Sequence, residues 1–195
     1  AFFGGMFFGL ILATIRTFGN KILNKIVICY VTFFTNTPQL VQIYFLFFAL
    51  PEFGILLSPY IAVLLGMTLN AAAYLCEIQR AGFLSIRQNE LDAAKTLNFS
   101  LVQQVKYVIL PHIMRVLFPP LSNHYIIMTL GTSMAAIFGV EELTGRAFNI
   151  NSETFRSVEI FSITALIYIV ITFIATFLLA VIGRYFFKAK IRIIQ

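Results

Sequence analysis

The chain has 195 residues, of which 59% are apolar and only 11% charged, and its mean hydropathy is +0.90. Soluble domains are about a quarter charged, so this composition excludes a soluble globule, a disordered chain, a coiled coil and a nucleic-acid-binding module. The net charge of +6 therefore matters for where each basic residue lies relative to a membrane. The two cysteines stand alone in apolar stretches, so we expect neither a disulfide nor a metal site.

Five apolar segments approach or exceed the length that a bilayer requires, about 20 helical residues. They run from Ala1 to Ile15, Ile26 to Leu50, Tyr60 to Arg80, Ile113 to Gly139 and Val158 to Gly183. All five should be helices, because hydrocarbon offers backbone groups no water. We predict an all-α integral membrane protein with five transmembrane helices, forming a single domain over residues 1–195. The first segment begins at Ala1 without a methionine, and we expect it to lack the native N-terminus.

Basic residues are distributed unevenly between the two sides of the predicted bundle. Twelve of the fourteen fall on one side: Arg16, Lys21, Lys25, Arg80, Arg87, Lys95, Lys106, Arg115, Arg184, Lys188, Lys190 and Arg192. Because positively charged connections stay in the cytoplasm, we predict that this side is cytoplasmic. The two long connections are then a cytoplasmic loop of residues 81–112 and an extracellular loop of residues 140–157.

The cytoplasmic loop contains two short helical patterns separated by a turn. Asn89 is placed to cap the first helix, and Asn98 stands where a left-handed residue would end it. Ser100 and Gln103 have the spacing of a capping box for the second helix, which Pro111 is expected to close while being tolerated in the first turn of the next helix.

The first of these helices presents an apolar surface of small residues and their neighbours: Leu91, Ala93, Ala94, Leu97 and Phe99. Such a surface in the cytoplasm favours the docking of another protein. A helix pair that lies on lipid headgroups would have a similar composition.

The residues of this loop resemble those of a known family. Asp92-Ala93-Ala94, followed by Leu97-Asn98 and later by Leu110-Pro111, resembles the Glu-Ala-Ala loop in permease subunits of ATP-binding-cassette (ABC) importers. Further runs resemble the polar-amino-acid permeases of that family, in family order: FFTNTPQLVQIYF (33–45), LNAAAYLCEIQRAG (69–82), PPLSNHYI (119–126) and TSMAAIFGVEELT (132–144). Asp92 replaces the family's Glu and Asn98 its Gly. Asp keeps the charge and Asn tolerates the left-handed turn.

The resemblance implies a type I importer permease fold and a subunit that moves polar amino acids by alternating access across a prokaryotic cytoplasmic (inner) membrane. It implies four partners besides the lipid bilayer: a separate ATPase subunit, a second permease subunit that is identical or different, an extracellular solute-binding protein and an amino-acid substrate. It also assigns ATPase coupling to Glu90, Leu91, Asp92, Ala93, Ala94, Leu97, Asn98 and Phe99. No phosphate loop of the form G-x-x-x-x-G-K-[ST] occurs in the sequence. We therefore expect no catalytic residues and no cofactor in this chain, with ATP and Mg bound by the partner ATPase.

Polar residues inside the predicted spans are costly unless they are paired or used. On the third span, Glu77 is placed to pair with Arg80, whereas Asn70 is the better candidate for a substrate pathway. We expect His112 to be a solvated interfacial residue and His124 to be a hydrogen-bonded structural group.

The fourth span carries a stripe of small and hydroxyl side chains that includes Thr129 and Ser133. Such a stripe either packs helices against each other or lines a substrate pathway, and both interpretations stay open. Pro119-Pro120 should bend or break this helix near its inner end.

The predicted outer side is acidic, since Arg146 and Arg156 stand there against five glutamates, a net charge of −3. An acidic mouth attracts cations. We therefore predict a preference for basic amino acids, namely arginine, lysine or histidine, assisted by Glu142 or Glu153. The alternative is an ion-coupled carrier or channel that acts without an ATPase. That alternative would need intramembrane carboxylates, and apart from Glu159 at the very start of the fifth span, Glu77 is the only one in the predicted spans.

Overall fold

The computed structural model describes residues 1–187, which contain helices and no β-strand. The helices of this part of the chain are α1 (Phe2–Phe18), α2 (Lys21–Thr35), α3 (Gln39–Tyr44), α4 (Pro59–Leu84), α5 (Gln88–Thr96), α6 (Leu101–Gln104), α7 (Leu110–Gly131), α8 (Leu143–Thr154) and α9 (Ser157–Phe186). Short π- or 3-10-helical turns extend α3 (Phe45–Ala49 and Leu50–Phe53), join α6 to α7 (Val105–Ile109) and extend α7 (Thr132–Phe138). Lys188, Lys190 and Arg192 of the predicted cytoplasmic side lie outside the described residues.

Two helices, α4 and α9, are each long and apolar enough to cross a bilayer. The number rises to as many as four if each of two bent helix pairs counts as one span, and α1 is an apolar helix of 17 residues. The expected all-helical architecture is confirmed. The third, fourth and fifth predicted spans agree closely with α4, with α7 plus its 3-10 extension, and with α9. The count of five spans stays a prediction.

The prediction of one helix over residues 26–50 is wrong. The axes of α2 and α3 meet at 102° around Pro38. Proline lacks the N–H that a continuing helix needs, and its ring collides with the preceding turn. Asn36 stabilises the end of α2, because its Nδ2 donates to the carbonyl oxygen of Thr32 at 2.8 Å.

Helix α1 packs closely along α4 through small side chains. A Cβ built on Gly5 would lie 2.6 Å from the Cβ of Ala71, and one built on Gly9 would lie 3.1 Å from backbone atoms of α4. The two helices are also joined by a hydrogen bond of 3.1 Å from Gln79 Nε2 to the carbonyl oxygen of Met6. Close backbone approach through glycine is the usual way in which membrane helices associate.

We expect Gly5→Ala to lower the thermal unfolding midpoint of the detergent-solubilised protein by about 2–10 °C, because overpacking a close contact costs about 1–3 kcal/mol. Gly4→Ala is the matched control, since its Cβ would lie 3.2 Å from Cγ2 of Thr68, at the end of a side chain, and within 4 Å of no backbone atom of α4. Equal midpoints for the two variants would contradict the close α1–α4 contact.

Helix α7 is not interrupted at its proline sites, where the sequence predicted the end of a helix at Pro111 and a bend or break at Pro119-Pro120. Helix α6, the π-helical turn and α7 follow one another without a gap, so Pro111 does not close a separate helix, although it does lie in the first turn of α7 as expected. In the π-helical turn the N–H of Leu110 bonds to the carbonyl of Val105, five residues back, and this wider turn leaves room for the proline ring that follows. Pro119-Pro120 lie inside α7 without ending it, because packing against neighbouring helices tolerates the missing donors.

Basic residues gather at one end of the described bundle, which we call the basic end. Arg16 of α1 forms an ion pair with Glu77 of α4, and Arg80 Nη2 lies 3.1 Å from the other oxygen of Glu77. Near the start of α7, Arg115 Nε donates to the carbonyl oxygen of Phe187, directly after α9, at 3.3 Å. The predicted Glu77–Arg80 pair is confirmed. The additional ion pair of Glu77 with Arg16 was not predicted, because the alignment of α1 with α4 depends on tertiary packing.

Candidate functional site

A polar cluster inside the bundle holds the bend between α2 and α3. Asn70 Nδ2 of α4 donates to the carbonyl oxygen of Phe34 at 3.2 Å and to Gln42 Oε1 at 3.1 Å. Gln42 Nε2 lies 3.0 Å from the same Phe34 oxygen and 3.1 Å from the carbonyl oxygen of Thr37. Asn70 and Gln42 are each only 7% exposed. They therefore satisfy, inside the protein, the carbonyl groups that the break leaves open.

A cavity of about 530 Å³ adjoins this cluster. Its polar lining comes from Thr35, Asn36, Thr37, Gln39, Asn70, Tyr74 and His124. His124 Nε2 is buried and has no hydrogen-bond partner among the described residues, so the expected hydrogen-bonded role is not met at this nitrogen. The reason is its surroundings, since the ring packs near the aromatic rings of Tyr74 and Phe2. Asn70, the predicted pathway residue, lines this cavity and holds the bend.

A second cavity of about 350 Å³ lies toward the end opposite the basic end, between the first half of α4 and the second half of α7; we call it the Glu142 cavity. Its wall is mainly apolar, and its polar groups come from Tyr60, Tyr125, Thr129, Thr132 and Glu142. The structure thus brings together Thr129 and Glu142, and it adds Thr132, which the sequence did not single out. Ser133 and Glu153 are not among the lining residues: the Ser133 hydroxyl donates to the carbonyl oxygen of Leu130 at 2.8 Å, and Glu153 is exposed on α8.

The Glu142 carboxylate is held at the start of α8 by two neutral donors. Its Oε1 accepts from the backbone N–H of Gly145 at 2.8 Å, and its Oε2 accepts from the Tyr168 hydroxyl at 2.9 Å. The Thr144 hydroxyl lies 2.9 Å from the Tyr168 oxygen, so a chain of two hydroxyls ends on the carboxylate. The ion pairs found within residues 1–187 do not include Glu142. Its negative charge is oriented but is not neutralised by a basic side chain in that part of the protein.

The other acidic residues of this side differ from Glu142 in their pairing. Glu141 pairs with Arg146 at 3.0 Å, and Glu159 pairs with Arg156 at 3.1 Å. Both pairs are exposed to solvent and are therefore worth little in stability. The net charge of −3 on this side therefore rests on Glu52, Glu142 and Glu153, which form no ion pair within residues 1–187, and of these three only Glu142 lines the cavity.

At the basic end, α5 carries residues to which the resemblance assigned ATPase coupling. It begins at Gln88 after an extended Arg87, so Asn89 lies in the first turn and is not the cap. The helix starts early because Gln88 Nε2 donates to Asp92 Oδ1, four residues on, at 2.9 Å, a spacing that favours helix.

The turn after α5 has the predicted conformation. Asn98 has a left-handed backbone with φ of +55°, and the N–H of Phe99 donates to the carbonyl of Ala94 at 3.1 Å. Ser100 and Gln103 form both hydrogen bonds of the capping box. These local predictions are confirmed.

The predicted coupling surface divides into an exposed and a buried part. Asp92, Ala93, Leu97 and Asn98 are exposed, whereas Glu90, Leu91 and Phe99 are half-buried and Ala94 is buried. Leu97 is 67% exposed, and Leu101 of α6 is 79% exposed. The outward apolar face is therefore made by Ala93, Leu97 and Leu101, with Ala94 turned inward.

His112 at the start of α7 is not the solvated residue that the sequence suggested. Its Nδ1 lies 3.2 Å from Oε2 of Glu90 in α5, and its Nε2 lies 3.2 Å from Oγ of Ser85 at the end of α4. Its side chain is 24% exposed. The chain folds back after α5, and this return brings residues 22 and 27 positions away against one ring.

Over residues 5–188 the chain matches the family model described as the binding-protein-dependent transport system inner membrane component. The chain belongs to this family. The permease is 37% identical over 183 residues to the glutamine transport system permease protein GlnP of Escherichia coli K12, an alignment that covers 93% of this chain and 84% of that protein. It is 34% identical over 154 residues to the octopine transport system permease protein OccM of Rhizobium radiobacter, covering 74% and 63% of the two chains.

Solved structures agree with this family assignment. An amino acid ABC transporter crystallised with histidines is similar to the permease at a TM-score of 0.86 and 29% identity, covering 94% of this chain and 86% of that one. The MetNI methionine ABC transporter shares the fold at a TM-score of 0.69 and 17% identity. The type I ABC permease fold is confirmed, and the protein is a membrane permease subunit of an amino-acid ABC importer. The relatives give no support to an ion-coupled carrier. An importer of this family works with an ATPase, a binding protein and an amino-acid substrate.

Proposed function

We propose that the permease moves polar amino acids with a preference for basic ones, and that Glu142 binds the cationic group of the substrate. The observation that carries this proposal is the state of the Glu142 carboxylate. This carboxylate lines a cavity and accepts hydrogen bonds from two neutral donors. It forms no ion pair within residues 1–187. An ionised carboxylate has about four acceptor positions, so two remain for a substrate. A cation there gains more than it would in water, because the surroundings are less polarisable.

The names of the relatives support an amino acid as the substrate, but the compounds they name differ in charge. GlnP is named for glutamine and OccM for octopine, and the solved transporter was crystallised with histidines. A neutral amino acid brings one ammonium group balanced by its own carboxylate, whereas arginine and lysine bring a second cation. The uncompensated charge of Glu142 therefore favours arginine, lysine or protonated histidine.

The partners of this chain follow from the same proposal. The ATPase, which holds ATP and Mg, docks on the exposed face made by Ala93, Leu97 and Leu101. A second permease, identical or different, completes the membrane pathway. The binding protein delivers the substrate at the opposite end, where the Glu142 cavity lies. Closure of the ATPase then switches the membrane helices between outward and inward access.

We expect Glu142→Gln to reduce the apparent affinity for arginine about tenfold or more in the complete importer, because removal of an ionic partner from a largely apolar cavity costs about 1.5–3 kcal/mol. Glutamine keeps an oxygen for the N–H of Gly145, so the cap of α8 survives. The measurement is arginine-stimulated ATP hydrolysis in proteoliposomes, repeated with glutamine as substrate. Glu153→Gln is the matched control, since Glu153 is exposed outside the cavity.

Two outcomes would contradict this assignment. Unchanged stimulation by arginine in Glu142→Gln would remove Glu142 from substrate binding. An equal loss for arginine and glutamine would assign the carboxylate to the α-ammonium group and end the preference for basic substrates.

A further inference from the structure

A side-chain link at the basic end connects α5 with two of the long helices. Glu90 of α5 contacts one nitrogen of the His112 ring, and Ser85, the residue that caps the end of α4, contacts the other. His112 itself belongs to α7. One imidazole therefore joins the proposed docking helix to both α4 and α7, the helices that form the walls of the Glu142 cavity.

The hydrogen atoms of this link can be assigned from its acceptors. Ser85 Oγ lies 2.7 Å from the carbonyl oxygen of Gly82, which has no proton to give, so the single hydroxyl proton of Ser85 points to Gly82. Ser85 Oγ can then only accept from His112 Nε2. The Glu90 carboxylate can only accept from Nδ1. Both nitrogens donate together only in the protonated imidazole, so the link is complete when His112 carries a positive charge opposite Glu90.

Other charged groups near His112 are engaged elsewhere. Glu90 is the charged residue that faces the ring from α5, and α4 contributes the neutral hydroxyl of Ser85. On α7 itself, Arg115 lies one turn further on and donates to the carbonyl of Phe187. Asp92 of α5 makes its contacts within its own helix, with Gln88 and Lys95. Within residues 1–187, the Glu90–His112 contact is therefore the ion pair that leaves α5 for another helix.

We infer that His112 is a positioning residue that transmits the movement of α5 to α4 and α7, through its contacts with Glu90 and Ser85. This inference rests on the proposed function, in which an ATPase docks on α5. A helix tied to its neighbours by charge-assisted hydrogen bonds moves with them as one body. Without the link, the ATPase still docks on the exposed face of α5, but its closure displaces α5 without displacing the membrane helices to the same extent.

The test uses the complete importer, with its ATPase and binding protein, in proteoliposomes. We measure three quantities: the ATPase that co-purifies with the permease, the rate of ATP hydrolysis, and the arginine transported per ATP hydrolysed. In His112→Gln, the first two should stay within about twofold of wild type. In both His112→Gln and Glu90→Gln, transport per ATP should fall about tenfold, the effect of one lost charge-assisted hydrogen bond.

An exchange variant distinguishes transmission from folding damage. Glu90→His combined with His112→Glu restores the pair, so transport per ATP should return to within about threefold of wild type. Glu159→Gln, which breaks an exposed ion pair at the opposite end, is the control and should change none of the three quantities.

The outcomes distinguish failure of the inference from failure of the proposed function. Wild-type transport per ATP in both single variants overturns the link. So does a parallel loss of co-purified ATPase in His112→Gln, or a double variant no better than either single one, because the residues then shape the docking surface or the fold. If the wild-type permease binds no ATPase at all, the proposed function fails, and the inference that rests on it fails with it.

Discussion

Replacing Leu97 with aspartate is expected to separate the permease from its ATPase subunit. Leu97 is 67% exposed at the end of α5, and with Ala93 and Leu101 it forms the outward apolar face of the coupling loop. A carboxylate at the centre of an apolar contact must lose its hydration without gaining a partner, at a cost of about 2–4 kcal/mol. This corresponds to roughly 30- to 1,000-fold weaker binding. The measurement is the amount of ATPase that co-purifies with the tagged permease.

The control for this prediction is the same substitution at Leu56, another exposed leucine. Leu56 is 83% exposed between α3 and α4, on the side away from the basic end. Leu56→Asp should therefore leave the co-purified ATPase unchanged. If Leu97→Asp also retains its ATPase, the coupling assignment of α5 is wrong, and lipid headgroups become the better explanation for its apolar face.

Gln42→Leu should destabilise the bend between α2 and α3 and abolish transport. The Gln42 amide is the partner of Asn70 and of the carbonyl oxygens of Phe34 and Thr37. Leucine fills a similar volume but satisfies none of these groups, and each buried group left without a partner costs about 1–3 kcal/mol. The total is a large share of the 5–15 kcal/mol that stabilises a typical fold. The measurements are the thermal unfolding midpoint in detergent and arginine uptake in the complete importer.

Tyr74→Phe provides the comparison. The Tyr74 hydroxyl donates one hydrogen bond of 3.3 Å to the carbonyl oxygen of Thr35 at the exposed side of the cluster. Its loss should cost about 1 kcal/mol or less, since water can replace the donor. A midpoint for Gln42→Leu as high as that for Tyr74→Phe would show that the bend does not depend on the buried amides.

The sequence by itself determined those features that depend on neighbouring residues. Hydropathy located α4, α7 and α9, because a span needs about 20 apolar residues in a row. The left-handed Asn98 and the capping box of Ser100 and Gln103 depend on hydrogen bonds within a few positions, and both are present. Short runs in family order were enough to identify an ABC permease, and the family match over residues 5–188 confirmed it.

The proline sites show that the local sequence alone does not predict where a helix ends. Pro38 breaks its helix, whereas Pro111 and Pro119-Pro120 do not end theirs. The proline ring is the same in each case. The difference lies in the surroundings, since a π-helical turn accommodates Pro111, whereas the buried amides of Gln42 and of the distant Asn70 stabilise the break at Pro38.

Only the tertiary structure decided which polar residues meet. Asn70 reaches Gln42 across 28 positions, and His112 reaches Ser85 across 27. Thr132 joins the Glu142 cavity, while Ser133, its neighbour in sequence, turns away. The arginines that pair with Glu141 and Glu159 lie only five and three positions away, so those pairs are local. The Tyr168 hydroxyl that holds Glu142 lies 26 positions away, and the sequence carries no local signal of it, because only the packing of α9 beside α8 brings this donor to the carboxylate.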